Sequence, residues 1–347
     1  MAIILQSWVS VVSLVVFLLF AFPADALPKK KGQASTASTA TTATGTTAAG
    51  GAAAAAGGVT TATDGSTILD KNRITDLGSG LSIRYKISGP AASFTAASGV
   101  TGGVAAGNTT GTAGLNVLLH GDGGQSFFDF PNQALQNNLM GVVVLAPNKD
   151  LFWGGGSGLD RTDGVPHAAA VNSLIQTQLS QDVAFDPGNV FFTGVSGGSL
   201  LLSGFFMPAF GATYKTGVAL NCGGLTPQVD VVDPANLATM KIHFQSTQDE
   251  LALLQPAIPL AITAYEKIAT DAGLTAAQVG ALQTVDNTPN GGGHCAFDNK
   301  DFVSGVQLMS TNFANIMGAN ASGEVTGIGN VLKTVVGNEQ VPFTSAT

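Results

Sequence analysis

The sequence predicts an α/β fold, a mostly parallel sheet with helices on both faces. Three observations carry that prediction. Five short β-rich runs recur between residues 115 and 246, they are apolar nearly throughout, and the stretches between them are long enough to hold helices. Strands of that kind must be buried on both faces, and right-handed crossovers then wind them into one open layered sheet. The chain has 347 residues, of which 45% are hydrophobic and 10% charged, so a sizeable core is available. Its net charge of -8 is spread without a basic patch, which excludes nucleic acid as a partner because nothing would neutralise the phosphates.

In chain order, residues 1–26 read as a signal peptide. A long apolar run closes at Pro23 and is followed by Ala24, Asp25 and Ala26, the small-x-small pattern of a signal-peptidase site. Secretion to the extracellular space, with no stable membrane insertion after cleavage, is the expectation. Because no Lys or Arg precedes the run and Lys29, Lys30 and Lys31 follow it, an uncleaved anchor is the alternative. Residues 27–66 are assigned to a linker: from 32 to 63 the chain is built almost wholly of Ala, Thr, Gly and Ser, too little apolar area to offset the entropy of ordering. The globular domain then covers 67–347.

Within it, "LSIRYKISG" (81–89) alternates apolar and polar side chains and predicts a strand, followed by a loop rich in Ala, Gly and Thr through Gly114. The sheet strands are "LNVLLH" (115–120), "GVVVLAP" (141–147), the run 190–195, "TGVALN" (216–221) and "MKIHFQS" (240–246). Pro166 can open a helix in which Val171, Leu174, Ile175 and Leu179 form one stripe. A second helix, "SLLLSGFFMPAF", is apolar nearly all round and so belongs behind a strand. Further helices are expected over 257–271, 275–285 and 302–317.

The chemistry centres on Gly194, Val195, Ser196, Gly197 and Gly198, a G-x-S-x-G run with an apolar strand before it and a helix after it. A nucleophilic serine on such a turn takes a strained backbone, and small neighbours let strand and helix approach closely. The amide of Gly197 and the start of the helix then face the place where negative charge develops. The run is neither G-x-G-x-x-G nor a P-loop, and H-E-x-x-H and clustered Cys/His spacings do not occur. No cofactor and no metal are expected.

A serine hydroxyl needs a base, usually a histidine held by a carboxylate. Of the four histidines, His120 opens "HGDGG" after a strand, and His167 and His243 suit structural roles in a helix and a strand. His294, in "NGGGHCAF", is the candidate base. Asp249 follows the strand 240–246 and is the expected acid, with Glu250 as the nearest rival and Asp230 and Asp233 behind it. The order Ser196, Asp249, His294 is that of an α/β-hydrolase. "HGDGG" supplies a second oxyanion-hole amide, from Asp122 or Gly123, facing that of Gly197. The Asp122 carboxylate would repel an oxyanion if it pointed inward, so it is expected to turn away or pair elsewhere.

Cys222 and Cys295 allow one pairing, and a bridge between them would tie down the histidine loop. Asn108-Thr-Thr and Asn320-Ala-Ser are glycosylation sequons that fit the same secretory route. Trp153, in "LFWGGGSGLDR", with His120, Phe127, Phe128 and Phe130, are the candidates for a substrate pocket, with capping of the core as the alternative for the aromatic residues.

Together "LLHGDGG", "DPGNVFFTGVSGGS" and "HFQSTQDE" resemble the secreted α/β-hydrolase esterases, in particular the group with polyhydroxybutyrate depolymerases and feruloyl and acetyl xylan esterases. The resemblance covers roughly residues 114–300. It implies Ser196 as nucleophile, His294 as base and then acid, Asp249 as orienter, and Gly197 with the Asp122 loop as oxyanion hole. The implied activity is hydrolysis of a carboxylic ester, with cell-wall polysaccharide esters or polyesters as the partners. Two alternatives stand beside it: a serine peptidase, and an inactive wall-associated or adhesive protein on the same fold.

Overall fold

The computed structural model describes residues 57–74 and 80–344. The expected signal peptide and the linker up to residue 56 lie outside the described residues. Ten main strands form one mixed sheet: β1 (Gly58–Thr61), β2 (Thr67–Ile74), β3 (Ser82–Gly89), β4 (Gly114–Leu119), β5 (Leu139–Val144), β6 (Val190–Val195), β7 (Gly217–Asn221), β8 (Lys241–Gln245), β9 (Gln283–Asp286) and β10 (Lys333–Thr334). Their spatial order is β1-β2-β3-β5-β4-β6-β7-β8-β9-β10, with the short strand Leu135–Gln136 beside β5. From β5 to β9 every pairing is parallel, whereas β1, β2 and β3 on one side and β10 on the other run antiparallel to their neighbours.

The helices include α1 (Gln125–Asp129), α2 (Gly164–Ser173), α3 (Gly197–Leu201), α4 (Pro234–Leu237), α5 (Leu254–Asp271), α6 (Ala276–Leu282), α7 (Phe302–Thr311) and α8 (Phe313–Met317), with α2 and α3 continued as wider helical turns over Leu174–Leu179 and Leu202–Gly211. Alternate side chains of the parallel strands enter two separate cores. Val117, Leu119, Val142, Val144, Val218 and Leu220 pack with residues of α2, α3 and α5. Leu118, Val143 and Ala219 pack with residues of α1, α7 and α8. This period of two in strands that are apolar on both sides is what a sheet covered on both faces requires. With the serine turn between β6 and α3, it is an α/β-hydrolase fold.

Three expectations change. The strand β1 begins at Gly58, inside the stretch assigned to the linker: Gly58 to Thr61 pair with Thr67 to Asp70 through the backbone, an interaction that needs no large side chain. Residues 283–285, expected at the end of a helix, open the strand β9; Gln283 already pairs with Ile242 of β8. The helix expected over 302–317 is divided at Asn312. The N-terminal strands are tied to the parallel part through the buried Asp182, whose carboxylate accepts from Tyr85 Oη and Lys71 Nζ.

Pairing aligns the C-terminal ends of the central strands. Leu119 stands opposite Gly194, Val195 opposite Asn221, Asn221 opposite Gln245, and Gln245 opposite Asp286. The loops that follow these residues therefore emerge along one rim.

Candidate active site

That rim gathers residues far apart in the chain. Ser196, between β6 and α3, has φ 50° and ψ -113°, a backbone conformation that side-chain-bearing residues rarely adopt. Hydrogen bonding holds it there: its amide donates to Asn221 O (2.9 Å) and its carbonyl accepts from Leu200 N (3.1 Å). Close packing of the backbone explains the flanking glycines. A Cβ on Gly194 would lie 2.6 Å from Ser199 Cα, and one on Gly198 would lie 2.0 Å from Leu119 O.

His294 meets this serine from the loop after β9. Its Nε2 lies 2.9 Å from Ser196 Oγ. On the other side of the ring, Nδ1 donates to Glu250 Oε1. Glu250, not Asp249, is therefore the carboxylate on the histidine. Its side chain is fully buried while that of His294 is 19% exposed, and the Leu251 amide fixes the same oxygen (2.8 Å). Asp249, one residue nearer the strand, is only half-buried; the longer glutamate arm, one position on, carries the carboxylate to the ring. Of the other acids, Asp230 is exposed and Asp233 caps α4 by accepting from Asn236 N (3.1 Å).

Cys222 and Cys295 form a disulfide with Cα atoms 5.1 Å apart, closing a separation of 73 residues. It joins the residue after β7 to the residue after His294. Thr247 Oγ1 adds a second tether by donating to Gly293 O (3.1 Å). The histidine loop is thus fastened immediately on both sides of the imidazole.

The segment after β4 faces the serine turn. A Cβ on Gly121 would lie 3.3 Å from Ser196 Cβ, and one on Gly197 would lie 2.0 Å from Asp122 Oδ1. Among the described residues, the amides of Asp122 and Gly197 donate to no protein acceptor. Gly123, the other candidate donor, is engaged: its N–H donates to Leu151 O (3.1 Å). The Asp122 carboxylate pairs elsewhere, in a two-pronged ion pair with Arg161 at 2.9 and 2.8 Å.

The expected pocket residues are core residues. His120, Trp153 and Phe127 are each fully buried. Both ring nitrogens of His120 are used, Nδ1 donating to Gly121 O (2.6 Å) and Nε2 accepting from Ala146 N (2.9 Å). Trp153 lies between the rings of His120 and His167, and Phe127 lies beneath Arg84 and Lys86. Phe130 is also buried, while Phe128 is exposed. A residue without a motif around it, Phe302 at the start of α7, is the aromatic neighbour of the site. Its ring centre lies 6.0 Å from that of His294 and its tip approaches Gly121.

Burial sorts the histidines. It pushes the pKa of His120, His167 and His243 down to about 4, because a charged ring cannot be solvated there. These three stay neutral as hydrogen-bonding pieces of the core; His167 accepts from Gly154 N (2.8 Å) and His243 bonds Thr284 and Gln245. Of the four, His294 alone stands beside a serine hydroxyl. Carboxylate, imidazole and hydroxyl in series can pass a proton from oxygen to nitrogen.

Both sequon asparagines, Asn108 and Asn320, are exposed. No helix among the described residues is long and apolar enough to cross a membrane.

No family model matches the chain, and no curated protein matches it. Solved structures similar to it include a thermostable esterase, with 14% identity over 71% of this chain and 60% of that one, at a TM-score of 0.47. Prolyl oligopeptidase B from Galerina marginata is similar at 12% identity over 74% of this chain and 38% of that one, TM-score 0.44. A ferulic acid esterase shows 11% identity over 73% of this chain and 99% of that one, TM-score 0.41. The chain thus spans 60% of the length of the first and 38% of the second. At these scores the likeness adds no argument about activity, and the fold assignment stands on the sheet and the serine turn.

Proposed function

We propose that this chain is a serine hydrolase that cleaves carboxylic esters through an acyl-enzyme on Ser196. The observation that carries the reading is the unbroken series from the buried Glu250 through His294 to Ser196 Oγ. In that series His294 Nε2 takes the hydroxyl proton as Oγ attacks the ester carbonyl. Negative charge passes to the carbonyl oxygen, which the amides of Asp122 and Gly197 receive. As the tetrahedral adduct collapses, the alcohol leaves with the proton from Nε2. Water then repeats the sequence on the acyl group, returning free acid and Ser196. Glu250 keeps the imidazole in the right tautomer and offsets its charge when it is protonated.

Secretion belongs to the same reading, supported by the leader-like N-terminus and by a disulfide that persists in an oxidising compartment. Esters of cell-wall polysaccharides, or polyesters, are the substrate class proposed, and Asn108 and Asn320 are proposed glycan acceptors.

The test is to treat the purified protein with a fluorophosphonate probe and to follow release of p-nitrophenol from short esters. Labelling and turnover that vanish in Ser196→Ala support the reading. An unlabelled, inactive wild type points instead to an adhesive protein, and faster cleavage of peptide amides than of esters points to a peptidase.

A further inference from the structure

A carboxylate stands beside the two amides offered to the oxyanion. A Cβ on Gly197 would lie 2.0 Å from Asp122 Oδ1, so this oxygen sits within a few ångströms of the Gly197 N–H. Left alone, a full negative charge at that place would oppose the charge that forms on the substrate oxygen, in surroundings that screen it poorly.

Arg161 answers it. Its Nη1 and Nη2 donate to Oδ1 and Oδ2 of Asp122 at 2.9 and 2.8 Å. The guanidinium side chain is 2% exposed and that of Asp122 25%, so the pair is largely shielded from water. Nη1 also donates to Trp153 O (3.0 Å). The fork is therefore held by the same 151–161 segment whose Leu151 carbonyl accepts from Gly123 N. Two bonds of fixed geometry set the direction of the carboxylate and place a cation against it.

We infer that Arg161 is a positioning residue for the Ser196 site: it neutralises Asp122 and locks the oxyanion loop so that the Asp122 amide stays aimed at the reacting oxygen. The inference rests on the reading of Ser196 as nucleophile and extends the machinery to a residue outside every motif. Because the oxyanion exists only after attack, the effect falls on kcat and spares KM.

The experiment compares Arg161→Met, Asp122→Asn/Arg161→Met and the wild type in steady-state hydrolysis of a p-nitrophenyl ester, with circular dichroism and urea unfolding to establish that each is folded. Arg161→Met is expected to lose about 100-fold in kcat, the scale of losing one oxyanion donor, with KM within about threefold. Adding Asp122→Asn, which removes the unpaired charge, is expected to restore at least about tenfold. A merely structural strut would give no such rescue. A folded Arg161→Met with wild-type kcat, or a folded double variant as slow as the single one, overturns the inference. Should Arg161→Met fail to fold, Arg161→Lys decides, since lysine keeps the charge but cannot fork across both oxygens. A fall of roughly tenfold in kcat with KM unchanged then supports the inference, and an unchanged kcat overturns it. An inactive wild type overturns the Ser196 reading and this inference with it; an active wild type with indifferent Arg161 variants overturns the inference alone.

Discussion

The buried carboxylate of Glu250 and the ring of His294 share a hydrogen bond at Nδ1, and the Leu251 amide holds the same carboxylate oxygen from the other side at 2.8 Å. The acid is thus fixed by its own backbone before it meets the histidine. Its second oxygen, Oε2, has no hydrogen-bond partner among the described residues, so its orientation depends on these two bonds.

The first expected outcome follows from that arrangement. Glu250→Gln retains shape but cannot sustain the imidazolium, and kcat should fall by about 10³-fold to 10⁴-fold. Asp249→Asn, on a half-buried neighbour, should stay within about threefold of the wild type. Steady-state kinetics of the two variants side by side checks the assignment, and a reversal of the two would return the role to Asp249.

The bridge between Cys222 and Cys295 closes 73 residues, and chain entropy gives about 4 kcal/mol for a loop of that size. Cys222→Ser/Cys295→Ser should unfold at lower urea by an amount of that order or somewhat less. Its kcat should fall as well, since the bridge fastens the residue next to His294. Alkylation of the native protein without reductant should modify neither cysteine.

Stability should fall with acid before any carboxylate is needed to explain it. His120 and His243 titrate near 6.5 when unfolded and at about 4 in the fold. Above pH 6.5 both states are neutral and nothing is gained or lost. Between pH 6.5 and 4 the unfolded chain takes up protons that the native rings refuse, so the native state loses ground as pH falls. Each ring contributes up to about 3 kcal/mol of that loss by pH 4. Urea midpoints at pH 7, 5.5 and 4.5 should decline, and a flat series would contradict the buried neutral state of these rings.

Gly198→Ala should be the most damaging small substitution at the serine turn. The added methyl would sit 2.0 Å from Leu119 O, a backbone atom of a central strand that cannot step aside. We expect a loss of about 2 kcal/mol or more in stability, read by urea unfolding, together with lower turnover.

Much of this was legible in the sequence because it is local. Short β-rich runs mark β4 to β8, and the glycine spacing around Ser196 marks the turn, since both follow from contacts between near neighbours. Where side chains meet across the fold, the sequence says less, although it offered His294 for Ser196 and Cys295 for Cys222. Strand β9 was hidden because three of its four buried residues are polar: Gln283 donates to Tyr265 O, Thr284 bonds His243, and Asp286 accepts from Gln245. Glu250 and Asp249 are adjacent acids, and only the reach of each arm across the fold separates them. Trp153 and Phe127 read as pocket walls because aromatic composition does not say which way a ring turns. Arg161 carried no signal, its partner lying 39 positions away.

The alignment of Leu119 with Gly194 across two parallel strands places a limit on redesign. A slip of one residue in that pairing would turn the strand's side chains to the opposite face and carry the Ser196 hydroxyl away from His294. Variation in what the protein accepts is therefore open to the connections beyond the strand ends, where length and composition can drift, while the ladder beneath them has to be inherited whole.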